Sequence, residues 1–157
     1  MDPIPDILDE LRRGRMIVLV DDESRENEGD VVCAAEHCTP ERINFMATHA
    51  RGLICLPMTN DKADALALYP QSSDNTSTFN TAFTVSVDAA TGVTTGISAA
   101  DRARTVQVAC AEDAEPADLA RPGHMFPLRA RDGGSLVRAG QTEGAAEPCP
   151  LAGLKPM

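Results

Sequence analysis

The sequence predicts an α+β fold, a single mixed-sheet domain with flanking helices spanning residues 1–157. Three observations carry this. Apolar runs of strand length, MIVLV at 16–20 and LICL at 53–56, alternate with stretches of helical periodicity. Two helix starts bring their own caps, Thr39-Pro40-Glu41 and Ser98 followed by Asp101. Phe83, Val85 and Val87 alternate with Thr84 and Ser86, the period of a half-buried strand.

Ile4, Ile7, Leu8 and Leu11 lie at helical spacing and Gly14 stops them, so the first element is an amphipathic helix. The run 16–20 reads as a core strand and 31–35 as a second, with the acidic segment DDESRENEGD at 21–30 connecting them. The helix begun at Thr39 continues through Ile43, Met46, Ala47 and Ala50 and ends at Gly52. Residues 53–56 form the next strand, with Cys55 in the core, and a short helix is expected around 61–68. Residues 72–80 are loop, the glycines of TGVTTG at 91–96 make a turn, and the Ser98 helix runs to about Ala111. Pro116, Pro122 and Pro127 interrupt the stretch beyond that helix, and RARDGGSLVRAG at 129–140 reads as a hairpin turning at 132–134. The last stretch, with Pro148, Pro150 and Pro156, has no readable periodicity.

Aromatic residues make up only 3% of a chain that is 43% hydrophobic, so the core must be built from Val, Ile, Leu, Ala and Met. A net charge of −10 argues against a nucleic-acid partner or an anionic membrane surface. An anionic ligand would need local arginines or a cation. No run approaches the roughly 18 apolar residues of a spanning helix, and MDPIPDILDE lacks the basic start of a signal peptide, which places the chain in the cytosol. Cys33, Cys38, Cys55, Cys110 and Cys149 are odd in number and include no C-x-x-C pair, as expected of free thiols in a reducing compartment.

The acidic segment is the sharpest chemical feature, with six carboxylates in ten residues and Arg25 among them. A solvated loop is the plain reading of such a run. Two facts count against it. The cluster is pinned between apolar strands, and Glu26, Glu28 and Asp30 alternate, which on extended backbone sends them to one side. Like charges held so close need a cation or raised pKa values, and magnesium suits one or two carboxylates completed by substrate and water. His124, in RPGHMFPL, is framed by Pro122, Gly123 and Pro127 on a rigid, irregular segment, as suits a proton shuttle. RAGQT at 138–142 offers an arginine fork, backbone N–H groups and a hydroxyl to a phosphate, and VTTGIS before the Ser98 helix is a second candidate anion site. No nucleotide-binding or serine-esterase glycine motif is present.

Taken together, DDESRENEGD, THARGLICLPMT, TAFTVSVDA, GVTTGISAADR, RPGHMFPLRARDGG and LVRAGQTE resemble, in order and spacing, the 3,4-dihydroxy-2-butanone 4-phosphate synthase family. The resemblance implies an α+β homodimer that uses Mg2+, or Mn2+, to convert D-ribulose 5-phosphate into L-3,4-dihydroxy-2-butanone 4-phosphate and formate for riboflavin. It places Arg25, Glu26 and Asp30 on the substrate, with Glu26 also on the metal. Arg138, Ala139, Gly140, Gln141 and Thr142 become the phosphate-binding turn, and His124 and Glu28 the proton carriers.

Two departures stand out. Gln141 occupies a position where many members carry a metal-binding histidine; its carbonyl oxygen suits a hard cation, but it cannot titrate. Family domains also continue for several tens of residues past the AGLKP-like segment and supply there a glutamate regarded as essential. The expectation is therefore a domain that is short at its C-terminal end, for which a non-catalytic relative binding sugar phosphate or a partner subunit is the alternative reading.

Overall fold

The computed structural model describes residues 1–157 and is an α+β structure of two sheets with flanking helices. The first helix, α1 (Ile4–Arg12), ends at Gly14, whose φ of +71° only glycine adopts freely. Strands β1 (Ile17–Val20) and β2 (Gly29–Val32) pair antiparallel, Ile17 opposite Val32 and Val20 opposite Gly29. This hairpin is a sheet of its own. The expected core strand is thus half-exposed, with Val18 66% and Val20 55% accessible. Alternation sends every second apolar residue outward, which a short continuous apolar run does not reveal. The second strand also stops before Ala35, where a 3-10 turn begins.

Thr39 caps α2 (Pro40–Phe45), its hydroxyl accepting from the Arg42 N–H. The helix widens into a π turn over Met46–Ala50 and ends one residue before the expected glycine, at Arg51 with φ +60°. Then come β3 (Cys55–Met58), α3 (Asn60–Ala65) capped by Thr59, β4 (Val87–Ala89), α4 (Ala99–Cys110) capped by Ser98, and β5 (Leu119–Arg129). The alternating segment at 83–87 is mostly irregular: Phe83 and Thr84 make isolated bridges and only its last residue enters β4.

The second sheet has the order β3-β5-β4, with β3 parallel and β4 antiparallel to β5. Its central strand contains Pro122 and Pro127, which the sequence suggests are breakers. Pro127 takes part through its carbonyl, which accepts from the N–H (3.0 Å) and hydroxyl (3.1 Å) of Thr84. Pro122 falls where the ladder slips, since Val87 faces Met125 while its neighbour Asp88 faces Ala120. Residues 121–124 are looped out of the pairing there, a site that tolerates a missing N–H.

The hairpin expected at 129–140 does not form. Gly133 (φ +90°) and Gly134 (φ +62°) are both left-handed and lead into a 3-10 turn at Gly134–Leu136. The tail forms two short helices, α5 (Gln141–Ala146) and α6 (Pro148–Leu151), divided where Pro148 can begin a helix but not continue one.

The core unites Leu56, Met58, Val87, Leu119 and Met125 of the second sheet with Ile43 and with Ala103, Val106 and Ala109 of α4. As the composition requires, it contains no aromatic side chain. Lys62 and Lys155 donate to the Ala111 and Cys110 carbonyls (2.7 and 3.0 Å), satisfying the end of α4. No helix is long and apolar enough to cross a membrane.

Candidate functional site

A cavity of about 310 Å³ opens where the β1–β2 hairpin meets the second sheet. Arg25, Glu26 and Asp30 reach it from the hairpin and Arg138, Gln141 and Thr142 from the start of α5; Cys55, Met125 and Leu128 belong to its floor and walls. Two segments more than a hundred residues apart therefore converge as the sequence suggests.

Asp21 builds the acidic loop. One of its oxygens accepts from Arg25 Nη1 (2.8 Å) and the Glu26 N–H (3.0 Å), the other from the Glu28 N–H (2.9 Å). These bonds, the one to Glu28 foremost, hold the Asp21 carboxyl below its usual range against the opposing effect of burial. Arg25 is thereby fixed over the Phe79 ring, 5.2 Å from its centroid, with Nη2 on Glu26 Oε1 (2.8 Å).

Asn27 adopts φ +53°, which breaks the extended run. Glu26, in the turn at 23–26, and Asp30, in β2, line the cavity while Glu28 is exposed and does not, so the expectation that all three project together fails because the segment is not one extended run. Glu28 meets the α5 segment through its carbonyl oxygen, which accepts from Gln141 Nε2 (3.3 Å).

Asp30 is exposed as a residue, yet its carboxyl is pushed up, first by loss of water where β2 faces the cavity and then by the charges of Glu28, Glu26 and Asp21. A carboxyl whose pKa is raised in the folded state binds its proton more tightly there than in the unfolded chain. Stability is therefore lost as pH rises from the unfolded value of 3.8 through the raised one. Asp30→Asn is expected to raise the unfolding free energy at pH 7 in metal-free buffer and to flatten its fall above pH 4. Urea titrations at pH 4 and pH 7 check this; a variant no more stable than the parent at pH 7 would contradict it.

At the other wall, Arg138 is engaged before any ligand arrives. Its Nη1 donates to Glu143 Oε2 (2.6 Å), and its Nη2 to the Phe79 carbonyl (3.2 Å) and Thr81 Oγ1 (3.4 Å). Glu143 is only 1% exposed and also accepts from the Arg131 N–H (2.9 Å). Of the phosphate-binding turn implied by the resemblance, Arg138, Gln141 and Thr142 line the cavity, whereas Ala139 and Gly140 do not. Gly140 serves closure: a Cβ there would lie 2.0 Å from Arg138 Nη1.

Gln141 Oε1 is buried and has no hydrogen-bond partner. Gln141 and Glu26 line the same cavity, and an amide oxygen and a carboxylate are donor types that suit a hard cation completing its shell with water and substrate. No group of three or more His, Cys, Asp and Glu residues is arranged to hold a metal. Cys55 is half-buried at the cavity rather than core, and its thiol is pushed up to about 11 by burial and then by the charge of Asp30.

The structure does not bring His124 into the cavity. It lies in the looped-out part of β5, its Nδ1 2.8 Å from Asp88 Oδ2. The second candidate anion site is already filled by a carboxylate of the chain itself. Asp101 accepts from the N–H (3.0 Å) and hydroxyl (2.7 Å) of Thr94 and from the Gly96 N–H (3.1 Å). These bonds, the Thr94 hydroxyl first, lower its pKa to about 2. With the folded value depressed, its contribution is complete above the unfolded 3.8 and is lost as pH falls through about 2. Urea unfolding at pH 5, 4 and 3 should therefore show Asp101→Asn, weaker at pH 5, losing less than the parent on acidification; parallel losses would contradict the assignment.

The family model described as 3,4-dihydroxy-2-butanone 4-phosphate synthase matches residues 5–157. The 3,4-dihydroxy-2-butanone 4-phosphate synthase of Pseudomonas syringae pv. tomato is 57% identical over 155 residues, 99% of this chain and 42% of its own length. The riboflavin biosynthesis protein RibBA of a Synechocystis species is 57% identical over 99% of this chain and 28% of its own. Among solved structures, a 3,4-dihydroxy-2-butanone 4-phosphate synthase in complex with two magnesium ions superposes with a TM-score of 0.97 at 47% identity, over 99% of this chain and 73% of that one. The chain thus spans less than half the length of these two curated relatives.

Proposed function

The chain belongs to the 3,4-dihydroxy-2-butanone 4-phosphate synthase family, and from that premise we propose that it acts in riboflavin biosynthesis in the cytosol, converting D-ribulose 5-phosphate to L-3,4-dihydroxy-2-butanone 4-phosphate and formate. One observation carries the reading: Arg25, Glu26, Asp30, Arg138, Gln141 and Thr142 open into one cavity of about 310 Å³, room for a pentose phosphate.

Arg138, held by Glu143, and the Thr142 hydroxyl would take the phosphate, anchoring the sugar by its unreactive end. Arg25, fixed by Asp21 and Phe79, would orient the sugar hydroxyls. Glu26 and Gln141 Oε1 would hold Mg2+ or Mn2+. That ion, when bound, supplies Lewis-acid polarisation of the ketose carbonyl and neighbouring hydroxyl. Asp30, its proton affinity raised by its surroundings, would shuttle a proton at its carboxyl oxygens during enolisation. The apolar floor of Met125 and Leu128 limits water at the reacting carbons.

His124 requires a second copy. Because it lies outside the cavity of its own chain, its part in the reaction would be played across a homodimer, the histidine of one copy entering the cavity of the other. Glu28, exposed and likewise outside the cavity of its own chain, would act across the same junction.

Formate release from D-ribulose 5-phosphate with Mg2+ tests the reading. Turnover that falls at least about 10³-fold in Glu26→Gln supports it. Absence of turnover in folded protein, with calorimetry still detecting sugar phosphate, would favour the non-catalytic alternative, which the non-titrating Gln141 recommends. Mixing inactive His124→Ala and Glu26→Gln chains should restore about a quarter of the activity if the site is shared, since in random mixing about half the dimers are hybrids with one intact site each.

A further inference from the structure

We propose that Asp88 is a positioning residue for His124, holding its imidazole as the tautomer with the proton on Nδ1 and the lone pair on Nε2. The inference rests on the reading that His124 moves a proton in the reaction, and it adds what sets that histidine's chemistry.

Asp88 sits at the slip between β4 and β5, where residues 121–124 leave the ladder. Main-chain donors in that loop are met by side chains of the 86–88 segment. The Gly123 N–H donates to Ser86 Oγ (3.1 Å) and the His124 N–H to Asp88 Oδ1 (2.9 Å). The second carboxylate oxygen, Oδ2, lies 2.8 Å from His124 Nδ1. An ionised carboxylate only accepts, so Nδ1 must be the protonated nitrogen and Nε2 the available one. Holding backbone and ring of one residue with the two oxygens of one carboxylate fixes position, orientation and tautomer together.

An ordinary exposed ion pair would have no such consequence. Here the Asp88 side chain is 13% exposed while the histidine ring is 41% exposed, so the pair is anchored at its inner end and open at its outer one. The enclosure is close. A Cβ on Gly96 would stand 2.1 Å from Asp88 Oδ2 and 2.6 Å from His124 Nδ1, so the backbone of the 92–98 loop lies directly over the contact. A Cβ on Gly123 would stand 2.0 Å from the Val87 carbonyl carbon, so the looped-out segment is pressed against β4. Asp101 in turn pins the covering loop through the Gly96 N–H (3.1 Å).

Asp88→Asn is the discriminating change, because the amide keeps shape but has one acceptor and one donor. With its oxygen on the His124 N–H, its NH2 group faces Nδ1, which must then accept, and the proton moves to Nε2. In two-bond 1H–15N spectra of the full chain labelled at histidine, the parent is expected to give the Nδ1–H pattern for His124 and Asp88→Asn the Nε2–H pattern. In the formate assay kcat should fall about 10²–10⁴-fold with KM changed less than about twofold. Asp88→Glu, which keeps a carboxylate, should retain the Nδ1–H pattern and recover part of kcat.

An Nε2–H pattern in the parent, or an unchanged tautomer in Asp88→Asn, overturns the proposal. So does a loss of kcat in Asp88→Asn accompanied by a comparable fall in Tm and recovered by no carboxylate. Full activity in His124→Gln would instead overturn the role of the histidine in turnover while leaving the tautomer result to stand alone, so the two failures are told apart.

Discussion

Glu143→Ala is expected to cost the fold about 3–5 kcal/mol, the penalty for leaving a buried charge without its partner. The Glu143 side chain is 1% exposed and that of Arg138 18%. Truncation strips the guanidinium of its only anionic partner, leaving the Phe79 carbonyl and the Thr81 hydroxyl, and it orphans the Arg131 N–H as well. Glu143→Gln keeps an acceptor for Arg131 and should fall between. Because the two residues share one interaction, Arg138→Met with Glu143→Leu should cost less than the sum of the single changes. Urea unfolding of these variants measures all of this. A loss below about 1 kcal/mol in Glu143→Ala would mean that water reaches the guanidinium and that the pair behaves like a surface one.

Gly96→Ala should remove nearly all turnover, by at least about 100-fold, and lower stability by about 3 kcal/mol. Two costs combine. At φ +92° a side chain is strained, and the new methyl would overlap the Asp88 carboxylate at 2.1 Å and the His124 ring at 2.6 Å. The loop can retreat only by breaking the bonds of Asp101 to Thr94 and Gly96. The neighbouring Gly92, also at positive φ, meets only the flexible Arg104 side chain, so Gly92→Ala should lose stability through strain alone and keep its activity. Equal activity losses at the two glycines would refute the packing argument.

The parts of the fold legible in the sequence are those decided within a few residues. The caps at Thr39 and Ser98 and the stop at Gly14 are local chemistry, and all three form. What fails depends on partners far along the chain. Whether MIVLV is enclosed depends on which sheet it joins, and β1 joins a separate hairpin. Pro122 reads as a breaker until the slip beside Asp88 makes room for it.

The site divides the same way. The cavity residues are legible because their types announce their chemistry, and the family resemblance aligns them. Glu143 and Asp88 are not, because each looks like an ordinary acid; their roles lie in what they touch, Arg138 five residues away and His124 thirty-six residues away. The acid of SVDA and the histidine of PGHM carry a joint signal only once 86–89 and 123–126 are known to be neighbours. Glu28 misleads because the chain turns over 23–26 and passes through the left-handed Asn27 before β2 begins, so the alternation of the letters is not that of an extended strand.

The β1–β2 hairpin hydrogen-bonds to neither edge of the sheet that holds the core, yet it delivers three of the cavity's charged groups. A ribbon of two four-residue strands with one wet face holds its amides less tightly than a central strand flanked on both sides. Deuterium should therefore enter β1 and β2 well ahead of β5, through an excursion that leaves the rest of the molecule intact. Such breathing would open the cavity beside Arg25 from the hairpin side.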